Sequence, residues 1–163
     1  MALKLNEPVV VALRQRLVDG LPDAIVEINA GVTDGFEIPS IDPTEILPYI
    51  PPPSDRLAPP TIGIGDGRSL FEDDIGSSAT GRHEILVVVY EQCSDQERLA
   101  WTLRRWTQAI ATVALEGRAL GDGAWGTGLI GTAPGPTLTD NPANPQEWFS
   151  WTGLRLWAKR DED

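Results

Sequence analysis

Cysteine and histidine are almost missing from this chain: Cys93 and His83 are the single examples among 163 residues. One cysteine excludes an intrachain disulfide and any all-cysteine metal site. One histidine excludes multi-histidine zinc sites and Cys/His clusters of ordinary ligand number. Lysine is scarce too, present at Lys4 and Lys159. Basic charge as a whole is short, with 13 Lys and Arg against 24 Asp and Glu and a net charge of -11. That balance argues against a general binder of the phosphate backbone, which needs a basic face. It equally disfavours docking on an anionic membrane. No apolar run approaches the roughly 20 residues of a membrane span. The N-terminus lacks an apolar signal segment with a small-residue cleavage site. The expectation is a soluble, intracellular protein with no structural metal and no cofactor.

What is abundant is glycine (16) and proline (14), so much of the chain is expected to be loop or extended arm. Hydrophobic residues make up 41% and charged residues 23%, ordinary values for a globular chain. The length suits one domain, 1–163.

Asn6 can cap a first helix over 7–19, in which Val10, Leu13 and Leu17 share a face. Gly20 and Pro22 read as its stop. The β-branched run Ile25, Val26, Ile28 then predicts a strand over 23–29. From 32 to 81 prolines recur at 39, 43, 48, 51, 52, 53, 59 and 60, which predicts a loop-rich insert or arm, with polyproline character at 51–53. Within it, 60–65 can form a strand. Residues 83–91 predict the clearest strand, apolar on both faces from 85 to 90 and therefore central in its sheet. Ser94 and Glu97 form a capping box. Leu99, Leu103, Trp106, Ile110 and Val113 then follow at helical spacing, predicting a helix over 95–116. The Gly/Thr/Pro-rich piece 121–144 reads as irregular, and 148–157 as a last strand. The fold class is α+β. A small, mainly antiparallel sheet carries the N-terminal helix and the long helix on one face, with the proline-rich insert added.

Candidate chemistry is sparse. The stretch 63–67 (Gly-Ile-Gly-Asp-Gly) lacks the third glycine of a dinucleotide fingerprint and the Gly-Lys-Ser/Thr of a P-loop, so a turn after a strand is preferred. Glu72, Asp73 and Asp74 do not match calcium-loop spacing and read as a solvated acidic loop. His83 and Cys93 flank one strand and lie at its opposite ends, wrong for a nucleophile pair. No catalytic, cofactor-binding or metal-binding residue is assigned. Trp148, Trp151 and Trp157 read as packing residues ahead of a carbohydrate platform. The informative exception is on the long helix. Trp101, Arg104, Arg105 and Gln108 fall opposite the apolar stripe. The indole can lie flat on arginine stems at a free surface, or anchor a subunit contact, the preferred reading.

Element order and texture carry a resemblance. The residues are 60–65 (Pro-Thr-Ile-Gly-Ile-Gly), 83–90 (His-Glu-Ile-Leu-Val-Val-Val-Tyr), and the Ser94-Asp95 cap leading into 97–106 (Glu-Arg-Leu-Ala-Trp-Thr-Leu-Arg-Arg-Trp). With arginine far exceeding lysine, the chain resembles tail terminator (tail completion) and related neck proteins of tailed bacteriophages. The likeness covers 1–30 and 60–117. It implies a virion structural protein, made in the host cytoplasm. Copies would form a six-fold ring at the head-proximal end of the tail tube and join it to the head connector, with no catalytic activity. The implied partners are further copies of itself, the tail tube protein and the connector or neck proteins. DNA would pass through the lumen without specific binding, which acidic charge favours. Ring closure needs two different patches per subunit; the Trp101 face is one candidate and the proline-rich arm another. Head-completion, connector-adaptor, minor tail and baseplate roles fit the same elements. A small enzyme or ligand-binding module using the 63–74 loop, with Asp66, Arg68 and His83 lining a pocket, is the alternative from another class.

Overall fold

The computed structural model describes residues 7–52, 57–73, 79–117, 119–121, 124–134, 139–141 and 144–162. Two helices, α1 (Glu7–Ala30) and α2 (Gln96–Leu115), pack on one face of a sheet. Its strands are β1 (Ile46–Leu47), β2 (Thr61–Asp73), β3 (Ala79–Cys93), β4 (Ala119–Gly121), β5 (Ala124–Pro134), β6 (Thr139–Asn141) and β7 (Asn144–Glu162). The order across the sheet is β1-β2-β3-β7-β5-β4, with β6 on β7. Every described pairing is antiparallel except β1 with β2. The α+β class and the two helices on one face stand as expected.

The core lies between the helices and one face of the sheet. Ile62 and Ile64, then Ile85, Val87 and Val89, then Leu154, Leu156 and Ala158 point into it at the two-residue period of strands. Leu99, Leu103, Trp106, Ile110 and Val113 meet them from α2, all buried as their spacing predicts. β3 is interior to the sheet, and Val88 and Tyr90 are buried on its other face as well. The cap of α2 sits one residue later than expected: Asp95, not Ser94, accepts from the Arg98 amide at 3.0 Å. α2 has no basic residue in its last turn; Arg16 of α1 supplies one, donating to the Glu116 carbonyl at 2.8 Å.

Three expectations are corrected. First, α1 does not stop at 19, and 23–29 is not a strand, because the helix runs through Pro22 to Ala30. Leu21, Ala24 and Ile25 continue the buried stripe begun by Leu13 and Leu17. Their burial outweighs the roughly 3 kcal/mol cost of an interior proline, and Pro22 itself faces solvent. Gly20 is a close-packing point: a Cβ there would stand 2.8 Å from a Val113 methyl of α2.

Second, the expected loop-rich insert over 32–81 is structured in part. β2 occupies 61–73 and pairs with β3, and β1 pairs with β2, leaving 31–42, 48–52 and 57–60 as the irregular part among the described residues. Much of that part is tied to its own body. The Asn29 side chain exchanges two hydrogen bonds with the Ile38 backbone, at 2.9 and 3.0 Å. Arg14 donates to the Ile46 carbonyl at 2.6 Å. The Tyr90 hydroxyl donates to the Pro51 carbonyl at 2.7 Å. Residues 49–51 thus lie across the outer face of β2, where Gly63 leaves room: a Cβ there would be 2.9 Å from the Tyr49 carbonyl.

Third, 121–144 is not simply irregular, since β4, β5 and β6 fall within or beside it. β5 pairs along β7 with register shifts between Trp125 and Gly128 and between Leu129 and Gly131, bulges that a glycine-rich strand accommodates.

Candidate functional site

Helix α2 buries one side and presents the other. On the outer side Trp101 is 39% exposed, a large indole that the core does not use. The Arg104 guanidinium lies 4.7 Å from its ring centroid and that of Arg105 5.6 Å, so two cations flank one aromatic. The four residues singled out in the sequence are brought together, with different duties. Arg104 is exposed beside the ring. Arg105 is an anchor for its own chain, donating to both carboxylate oxygens of Asp34, at 3.0 and 2.5 Å, and to the Phe36 carbonyl. The Arg105 hydrogen bond, seconded by the Phe36 amide, holds the Asp34 carboxyl below the usual aspartate range. Gln108 is exposed one turn on. It shares with Arg105 and Thr112 a cleft of about 370 Å³, closed on the other side by Ala24, Glu27 and Ile28 of α1.

A second cleft, of about 350 Å³, lies at the N-terminal end of α2, bordered by Glu37, Glu91, Cys93, Arg98 and Thr102. Sequence reading missed its centre. Glu91 is 5% exposed, and its carboxylate accepts from the Trp106 indole N–H at 2.9 Å and from the Gln92 amide at 3.1 Å. The available signal was the pairing of an acid with an indole on the same buried face. A buried carboxylate held by such donors fixes Trp106 in the core.

The remaining candidates are dispersed. Gly63, Gly65 and Gly67 sit within β2, not in a turn after a strand. Asp66 and Arg68 are exposed while His83 is fully buried, its Nδ1 3.1 Å from the Ser69 hydroxyl, so the three do not line one pocket. Cys93 and His83 lie ten positions apart on β3. Among the described residues no group of three or more His, Cys, Asp or Glu is placed to hold a metal ion. The side chains of Glu72 and Asp73, and all of Asp74, lie outside the described set. The three tryptophans of β7 do not form one row: Trp148 packs against the core, while Trp151 and Trp157 fall on the other face by strand alternation. The Arg82 guanidinium lies 5.1 Å from the Trp157 ring centroid. No described helix is long and apolar enough to cross a membrane.

No protein-family model matches this sequence, and no curated protein matches it.

Proposed function

We propose that this chain is a structural protein of a bacteriophage virion, a tail terminator that assembles into a ring at the head-proximal end of the tail tube and joins it to the head connector. One observation carries the assembly part of this reading: Trp101, exposed on the outer face of α2 and flanked by Arg104 and Arg105. Tryptophan and arginine are the residue types enriched at the centres of protein interfaces. A stacked pair also loses little side-chain freedom on docking. The resemblance of 60–65, 83–90 and 94–106 to tail terminators supports the virion part, and the charge of -11 suits a lumen through which DNA must slide. Such a protein needs no catalytic residue, cofactor or metal. A connector adaptor or another minor tail protein would use the same face.

Light scattering on the purified chain, with electron-microscopic imaging of the assembly, tests the reading. The expected result is a closed ring that adds to tail tubes. A molecule that stays monomeric at every concentration and ignores tubes overturns it.

A further inference from the structure

We infer that the outer face of α2 around Trp101 receives the proline-rich strap 48–52, led by Tyr49, of a second copy of this chain. The inference rests on the self-assembly reading above and names the two surfaces that meet.

The strap is held still and presents one side chain. Prolines at 48, 51 and 52 favour extended backbone. Ile50 and Pro51 press on β2 at two glycines: a Cβ on Gly65 would stand 2.5 Å from Ile50 Cδ1, and one on Gly63 2.9 Å from Pro51 Cδ. The Tyr90 hydroxyl fastens the Pro51 carbonyl. Tyr49, between Pro48 and Ile50, is left 57% exposed. Among the described side chains, Tyr49 and Trp101 are the two exposed large aromatics, and neither is used by the core. Aromatic surfaces are common receivers of extended proline-rich chain, and a strap already tied down loses little freedom on docking.

Charge agrees with this pairing. Within one turn of Trp101 stand Glu97, Arg98, Arg104 and Arg105, and Asp34 is bound to Arg105. Three cations against two carboxylates make this neighbourhood positive in a chain of net charge -11. The strap is reached through Asp42 and Glu45, and no Lys or Arg occurs from 17 to 52. Arg14, beside that approach, is spent on the carbonyls of Ile46 and Pro43. On the sheet face beyond the strap Arg155 is paired with Glu84. Arg82 and Lys159 lie six positions past the rung of Gly63, Val88 and Gly153, roughly 20 Å away. The two neighbourhoods are opposite in sign, and stacking of Tyr49 and its prolines on the indole supplies the apolar contact.

The two surfaces cannot meet within one molecule. Both helices pack on the inner face of the sheet, and Trp101 is on the outer side of α2. The strap crosses the outer face of the sheet, over β2. The sheet and a helix about 10 Å across therefore stand between them. Each copy thus offers a strap on one side and an indole on the other. That is a heterologous contact, which closes into a ring or continues as a fibre according to the rotation per step.

The experiment compares the mass in solution, over a concentration series, of the wild-type chain, a strap variant (Tyr49→Ala) and a face variant (Trp101→Ala). Circular-dichroism melts check folding, and Arg104→Glu replaces the face variant if Trp101→Ala does not fold. Each variant alone is expected to need about tenfold higher concentration to assemble, the effect of losing an aromatic anchor. An equimolar mixture of the two is expected to stop at dimers, since the strap of the face variant meets the indole of the strap variant and the next contact is missing. Where the wild type assembles, a strap or face variant that assembles equally well, or a mixture that grows past dimers, overturns this contact and leaves the ring reading standing. A wild-type chain that never associates overturns both.

Discussion

Arg105 shows how one side chain serves its own fold and borders a surface. Its guanidinium bridges α2 to the backbone at Phe36 and the carboxylate of Asp34. A carboxyl whose folded pKa is depressed stabilises above its unfolded value, and that contribution disappears as pH falls through the folded value. Asp34→Asn is therefore expected to leave stability at pH 7 lower and to flatten its decline below about pH 4, the range in which a free aspartate titrates. Urea denaturation at stepped pH checks the sign. The same bridge makes Arg105 a poor probe of docking, because changing it frees residues 34–36; Arg104 is the cleaner site. In the core, Trp106→Phe removes the indole N–H from the buried carboxylate of Glu91. A hydrogen bond to a charged group is worth about 1.5–3 kcal/mol, so a loss of about 2 kcal/mol is expected in chemical denaturation.

At the scale of elements, what was legible followed from periodicity in segments buried along a whole face. The stripe from Leu99 to Val113 and the two-sided apolar run in β3 each admit one solution, and both stand in the structure. The second half of α1 was misread because local signals pointed the wrong way. Gly20 and Pro22 are punctuation in most sequences, and Ile25, Val26 and Ile28 favour strands. Only the packing of Leu21, Ala24 and Ile25 on α2 and the sheet decides for helix, and that is not a local property. β5 was missed for a related reason: its glycines give no alternation, and pairing with β7 supplies its order. The patch on α2 was legible as a set of residues, whereas the tie from Arg105 to Asp34 spans 71 positions and leaves no mark in spacing. Gly63 offers a test at this scale. Gly63→Ala pushes a methyl against the Tyr49 carbonyl and Pro51. Overpacking of this kind costs about 1–3 kcal/mol, so a lower melting temperature is expected, with faster proteolysis in 49–52 as the strap lifts.

For the whole molecule, the sheet separates two environments. One face is closed by both helices; the other is covered over β2 and β3 by residues 49–51 and shows half-buried Trp151 and Trp157 on β7. If copies associate through α2, folding and association are linked, and stability rises with concentration by mass action. Calorimetry at tenfold different concentrations is expected to show a higher transition temperature in the concentrated sample. Arg104→Glu is expected to remove that dependence. A wild-type transition that ignores concentration would count against self-association.

The notch at Gly20 has a mechanical consequence. The Val113 methyls sit where a side chain of α1 would otherwise be. Sliding α1 past α2 by one turn, about 5.4 Å, would bring Arg16 or Ala24 to that spot, and neither fits. The helix pair therefore behaves as a single stiff plank. Axial slip of one helix against the other is opposed at this single contact, and Gly20→Ala would force the pair apart.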